Sequence, residues 1–88
     1  MALNLEIITP DEVIFSGEVA MVVAPGAEGE FGVLPNHAPL IAELQQGELR
    51  IYDKVEAAKP AQIFKTEGGF VQVMGTKCTI LSDKIAAE

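Results

Sequence analysis

Gly29-Glu30-Phe31-Gly32-Val33-Leu34-Pro35-Asn36-His37-Ala38-Pro39-Leu40-Ile41 is the stretch from which the rest of this chain can be read. Pro35 fixes φ at the value the second position of a β-turn needs, and Asn36 tolerates the left-handed conformation of the third. Leu34 to His37 therefore reads as a type II turn. Pro39 drives Ala38 into extended geometry, because its ring clashes with a helical neighbour. His37, the single histidine, is held between two stiff points. Gly32 interrupts the apolar run Phe31 to Leu34, which predicts a bulge or a close backbone approach. A segment this constrained is suited to presenting a shape. It holds no nucleophile and no metal cluster, so its chemistry is recognition.

Working outward, turn signals recur at Pro10-Asp11, Ser16-Gly17, Pro25-Gly26, Pro35-Asn36, Gln46-Gly47, Lys59-Pro60, Gly68-Gly69 and Gly75. Spacing of about 8–12 residues marks an all-β sandwich or barrel. Leu3 to Ile7 alternates apolar and polar, Val13 and Phe15 point one way with Ile14 and Ser16 the other, and Leu49 and Ile51 oppose Glu48, Arg50 and Tyr52. Val19 to Ala24 is apolar on both faces and reads as a central, doubly covered strand. Gln62 to Lys65 leads into Glu67-Gly68-Gly69, which suggests a hairpin to Phe70–Met74. Thr79 to Leu81 reads as the last strand. Leu40 to Gln46 contains helix formers, but Pro39 and Gly47 leave room for about two turns, and a strand is the better reading. Asp53 to Lys59 reads as a polar connection. Ser82 is an N-cap candidate ahead of helix formers, but a helix there has no length to bury a face and should fray. The expected organisation is one domain over residues 1–83 with a short tail at 84–88.

Eighty-eight residues carry six basic and thirteen acidic side chains, a net charge of −7. That balance opposes nucleic acid, whose phosphates need clustered cations, and anionic lipid. A basic protein surface is the natural complement. One cysteine excludes an internal disulfide and fits a reducing compartment. No apolar run reaches the ~18 residues of a membrane span, and no secretory signal opens the chain. The chain reads as soluble and cytoplasmic.

The chemistry-bearing residues are few. Gly26 to Gly32 lacks the Lys-Ser/Thr of a phosphate loop, and its two glutamates would repel phosphate. His37 has no second histidine with which to build a zinc site; a ring hydrogen-bonded to its own turn is the better reading. Cys78 reads as a small buried apolar residue. Glu28 and Glu30 are spaced to share one side of a strand. A solvated edge is the common outcome of such a pair, acid–base catalysis finds no support elsewhere, and an acidic spot meeting a partner's arginine lies between the two. No catalytic residue, cofactor site or metal site is expected.

Phe15-Ser16-Gly17, then Gly29 to Ile41, then Gly68-Gly69-Phe70-Val71-Gln72-Val73 together resemble the N-terminal domain of F-type ATP synthase ε subunits, whose mitochondrial equivalent is called δ. The likeness runs from about Leu3 to Asp83. It implies a two-sheet β-sandwich of about ten strands at the foot of the central stalk. There a non-catalytic rotor subunit, peripheral on the cytoplasmic face of a bacterial inner membrane, binds γ, rests on the c-ring and helps couple proton flow to ATP synthesis. By position, Glu30, Asn36, His37, Ala38 and Pro39 match the family surface that faces the c-ring's polar, arginine-bearing loops. No compact motif marks the γ side. Asn36 stands where the family often has Gly, and it accepts the same φ. The family's C-terminal helical hairpin, which carries its inhibitory switch and ATP motif, has no counterpart in these residues. A free-standing β-sandwich binding module is the alternative. A biotinyl or lipoyl carrier would need a hairpin-tip lysine that Glu67-Gly68-Gly69 and Gly75-Thr76-Lys77 do not provide, and a hydrolase lacks a nucleophile–base pairing.

Overall fold

The chain, seen in a computed structural model, is described over residues 2–87. Those residues form strands and turns without a helix. The strands are β1 (Leu3–Ile8), β2 (Val13–Val19), β3 (Met21–Gly26), β4 (Gly29–Val33), β5 (His37–Leu44), β6 (Gly47–Tyr52), β7 (Gln62–Thr66), β8 (Gly69–Gly75), β9 (Lys77–Ser82) and β10 (Ile85–Ala87).

They divide into two layers. One runs β10-β7-β6-β3 with β4 on the far edge of β3; the other runs β5-β8-β9-β1-β2. The layers join at a single ladder step, Gly26 opposite Leu44. Two backbone bonds flank that step, Ala27 N–H to the Glu43 carbonyl and Gln45 N–H to the Pro25 carbonyl, both at 2.9 Å. Every pairing is antiparallel except β1 with β9. The all-β two-layer reading of the turn spacing therefore holds.

Alternation decides which side chains meet between the layers. Leu3, Leu5 and Ile7 are buried on β1, with Leu49 and Ile51 on β6, Val71 and Val73 on β8, and Cys78 and Ile80 on β9. Each comes from the apolar half of a period-2 pattern. Phe15 meets Phe64 edge to face, ring centroids 6.2 Å apart. Leu40 to Leu44 is strand, as expected, and Asp53 to Lys59 is a connection with one tight turn, Ala57 N–H to the Lys54 carbonyl.

Several local expectations are corrected. Val19 ends β2, and the chain bends at Ala20 before β3 begins. Ala20 N–H bonds the Tyr52 carbonyl, so the apolar run is a corner between layers and not one strand. Pro25-Gly26 lies inside β3, and the turn falls at Ala27-Glu28. Gly32 is a regular ladder partner of Val23 with no bulge; a side chain there would meet nothing nearer than the Met21 sulfur at 3.8 Å. The bulges lie between Ile7 and Ile8 and between His37 and Leu40.

Gly68-Gly69 makes no hairpin either. β7 pairs with β6 and β10, while β8 pairs with β5 and β9, so the glycine pair carries the chain from one layer to the other. The hydroxyls beneath that corner also explain the C-terminal strand. Thr66 Oγ1 and Ser82 Oγ lie 2.7 Å apart, Ser82 is within 2.8 Å of the Gly68 carbonyl, and Lys84 N–H donates to Ser82 Oγ at 3.3 Å. Ser82 thus turns the chain along β7 instead of capping a helix. Ile85–Ala87 forms β10 against Thr66 to Phe64, and Thr79 to Leu81 is not the final strand. Glu88 lies outside the described residues.

Candidate docking site

The tip between β4 and β5 is built as its prolines require. Asn36 has φ 64°, and His37 N–H closes the turn onto the Leu34 carbonyl at 3.2 Å. His37 Nδ1 lies 2.7 Å from the Ala38 carbonyl. A carbonyl only accepts, so Nδ1 carries a proton and donates it to that oxygen. Ala38 and Pro39 are exposed. The bulge between His37 and Leu40 leaves Pro39, which has no N–H, where the ladder asks for none.

Glu30 does not join this cluster. It sits near the start of β4 and the turn follows the end of that strand, about 13 Å along the backbone at ~3.3 Å per residue. Its carboxylate pairs with the Arg50 guanidinium on β6. Val23 stands opposite both Gly32 and Arg50, so the pair straddles β3 on the outer face of the layer. Glu30 remains 55% exposed and Arg50 30%, and an ion pair that open contributes about 0–1 kcal/mol. Arg50 Nε is buried without a partner. Glu28 lies in the β3–β4 turn and shares no strand side with Glu30. The five candidate residues thus form a stiff tip, Asn36 to Pro39, and a separate acidic position at Glu30. Sequence reasoning missed Arg50, although its outward place between Leu49 and Ile51 was visible in the alternation.

Cys78 is buried, and burial pushes its thiol up from 9.0 to about 12. It is a core side chain and not a nucleophile. Among the described residues, no three His, Cys, Asp or Glu side chains are grouped to hold a metal ion. No helix there is long and apolar enough to cross a membrane.

The family model for the ATP synthase Delta/Epsilon chain beta-sandwich domain matches residues 2–88. The chain belongs to the ATP synthase delta/epsilon family. Among the relatives of this family, the ATP synthase epsilon chain of Pelotomaculum thermopropionicum is 47% identical over 80 residues, 91% of this chain and 57% of that one. That of Rhodospirillum centenum is 42% identical over 82 residues, 93% and 56%. The Chlorobium limicola epsilon chain is 41% identical over 87 residues, 97% and 93%. The chain thus spans just over half the length of the first two relatives and nearly all of the third. A chain in the cryo-EM structure of the Euglena gracilis mitochondrial ATP synthase OSCP/F1/c-ring superposes with TM-score 0.86 at 26% identity, covering 98% of this chain and 53% of that one. One in the Tetrahymena thermophila central stalk and c-ring structure shares the fold, with TM-score 0.80 at 18% identity, covering 98% and 66%.

Proposed function

We propose that this delta/epsilon domain is a non-catalytic rotor part of an F-type ATP synthase. It joins γ to the c-ring, peripheral on the cytoplasmic face of a bacterial inner membrane. The observation that carries the reading is the family match across residues 2–88, together with a tip whose shape is fixed before any partner arrives. Pro35, Asn36 at φ 64° and the His37–Ala38 bond remove the ordering cost that a loose loop meets on binding. Asn36, His37, Ala38 and Pro39 form the c-ring contact. Glu30 supplies the acidic complement to an arginine of the c-ring loops. Its exposed pairing with Arg50 is weak enough for such an arginine to share.

The test is coupling. Vesicles carrying an ATP synthase stripped of its delta/epsilon subunit are assayed for ATP-driven proton uptake with and without the purified chain. Addition should restore uptake per ATP hydrolysed. Full coupling without the chain, or none after saturating addition, refutes the reading.

A further inference from the structure

Arg50 is placed where an arginine does little for the sandwich. Its ladder neighbours on the outer face of the β10-β7-β6-β3-β4 layer are Val23 on β3 and Ile63 on β7, so its stem starts between two aliphatic positions. Its Nε is buried, with no hydrogen-bond partner among the described residues, and a buried donor left unpaired destabilises a fold. The guanidinium reaches over β3 to the Glu30 carboxylate. With side-chain exposures of 30% and 55%, that ion pair is of the kind that adds least to stability. Glu48 lies two residues before Arg50 on the same strand side, but its ladder partner is Lys65. Gly32, opposite Val23, adds no side chain to the row that Arg50 crosses. A residue that breaks a local rule without a gain in stability is expected at a functional site.

The atoms of the pair indicate the function. Arg50 Nη2 meets Glu30 Oε2. A carboxylate has two oxygens and about four acceptor positions, so Oε1 is left for a donor arriving from outside. A glutamate without a neighbour to hold it moves among many rotamers, and fixing it on binding carries an entropy cost. Arg50 has met that cost beforehand, from a stem that is itself held by packing.

We propose that Arg50 is a positioning residue of the docking site: it pins one oxygen of Glu30 and leaves the other aimed at a cation of the partner. The proposal rests on the stalk reading, in which that cation is an arginine of the c-ring loops. Arg50 also makes the acidic spot less negative. It therefore slows the approach of a cation slightly, and it prolongs the contact once made. A residue that merely competed for Glu30 would do the first without the second, so the sign of its removal decides between them.

The experiment adds full-length variants back to vesicles carrying an ATP synthase stripped of its delta/epsilon subunit. It reads the chain concentration that half-restores ATP-driven proton uptake, with far-UV circular dichroism to establish folding. Glu30→Gln should raise that concentration about 3- to 10-fold. Arg50→Met and Arg50→Gln should each raise it about 2- to 5-fold, and either one carries the test if the other misfolds. Arg50→Lys, which keeps stem and charge, should recover most of the loss. In the Glu30→Gln background, Arg50→Met should change it less than about 1.5-fold, because the residue acts only through Glu30. The unfolding midpoint of Arg50→Met should be no lower than that of wild type, since its thioether stem fills the place without an unpaired N–H.

If the wild-type chain restores nothing, or Glu30→Gln works at the wild-type concentration, the stalk contact at Glu30 falls and the positioning falls with it. If Glu30→Gln weakens restoration while folded Arg50→Met leaves it unchanged or improves it, only the role of Arg50 falls. An Arg50→Met loss that persists undiminished beside Glu30→Gln, or that comes with a lower unfolding midpoint, makes Arg50 a residue of the fold and also overturns the proposal.

Discussion

Three glycines separate backbone strain from steric overlap, and the separation can be measured. Gly69 has φ +137°, and a Cβ built there would lie 2.0 Å from the Leu81 carbonyl oxygen and 2.8 Å from Ser82 Cα. That carbonyl cannot retreat cheaply, because Gly69 is tied into ladders with both Leu44 and Ser82. Gly29 has φ +130° with nothing within 4 Å of the same atom. Gly32 has neither a left-handed φ nor a neighbour closer than 3.8 Å. Gly29→Ala should therefore cost strain alone, about 1–3 kcal/mol. Gly69→Ala adds forced displacement of packed backbone, a further ~1–3 kcal/mol. Gly32→Ala should stay within about 0.5 kcal/mol of wild type. A domain of 88 residues holds about 4–13 kcal/mol in all, so Gly69→Ala removes a large share of it. The chain has no tryptophan, so urea unfolding is followed by far-UV circular dichroism. Gly69→Ala and Gly29→Ala with the same midpoint would refute the overlap argument. A Gly32→Ala loss above about 1 kcal/mol would show that this surface strand is not as open as its geometry indicates.

Thr66→Val should destabilise by about 1–3 kcal/mol, since Ser82 and the Gly68 N–H lose a buried partner; a double-mutant cycle with Ser82→Ala should show coupling. Cys78 should resist a thiol reagent at pH 8 in the native chain and react fully in urea. The sign of its pH effect follows from the raised folded value. The thiol favours the fold fully below the unfolded value of 9.0, and that contribution is lost as pH rises towards about 12. Denaturant midpoints of wild type and Cys78→Ala should therefore converge across that window, and parallel curves would contradict it. Glu30→Lys should lower coupled proton uptake while the isolated domain stays folded, at a cost below about 1 kcal/mol from the new cation beside Arg50. Unchanged uptake would count against Glu30 as a contact.

The sequence made local geometry legible wherever one residue dictates it. Pro35 and Asn36 specify their turn, and φ 64° with the Leu34–His37 bond is what they require. Leu3-Leu5-Ile7 and Leu49-Ile51 declare their buried sides by alternation alone. Pairing was less legible, because it depends on residues far apart in sequence. Glu67-Gly68-Gly69 carries a hairpin's letters, yet β7 finds β6 and β10 while β8 finds β5 and β9. The glycines are needed for φ +113° and +137° at a corner, a requirement that a hairpin shares. Ser82 shows the same ambiguity. A hydroxyl ahead of helix formers caps a helix unless another buried hydroxyl reaches it first, and Thr66, sixteen residues earlier, does so.

The same limit explains why an apolar row on the outer face of the β5-β8-β9-β1-β2 layer was invisible before the register was known. Phe70, Leu81, Ile8 and Val13 each look like ordinary members of an apolar strand, and any of them could belong to the core. Their neighbours decide the matter: Val71, Ile80 and Ile7 are buried, so by period 2 the adjacent side chains must face out. Three strands reach that conclusion independently, and the irregular β1–β2 ladder then brings Val13 opposite Ile8. Binary patterning would place polar residues at each of them. Phe70 is 54% and Leu81 48% exposed, so these side chains add less to the fold than their buried neighbours do. Polar replacement at Phe70 or Leu81 should thus leave the unfolding midpoint nearly unchanged. A drop of more than about 1 kcal/mol would mean that the row packs as part of the sandwich.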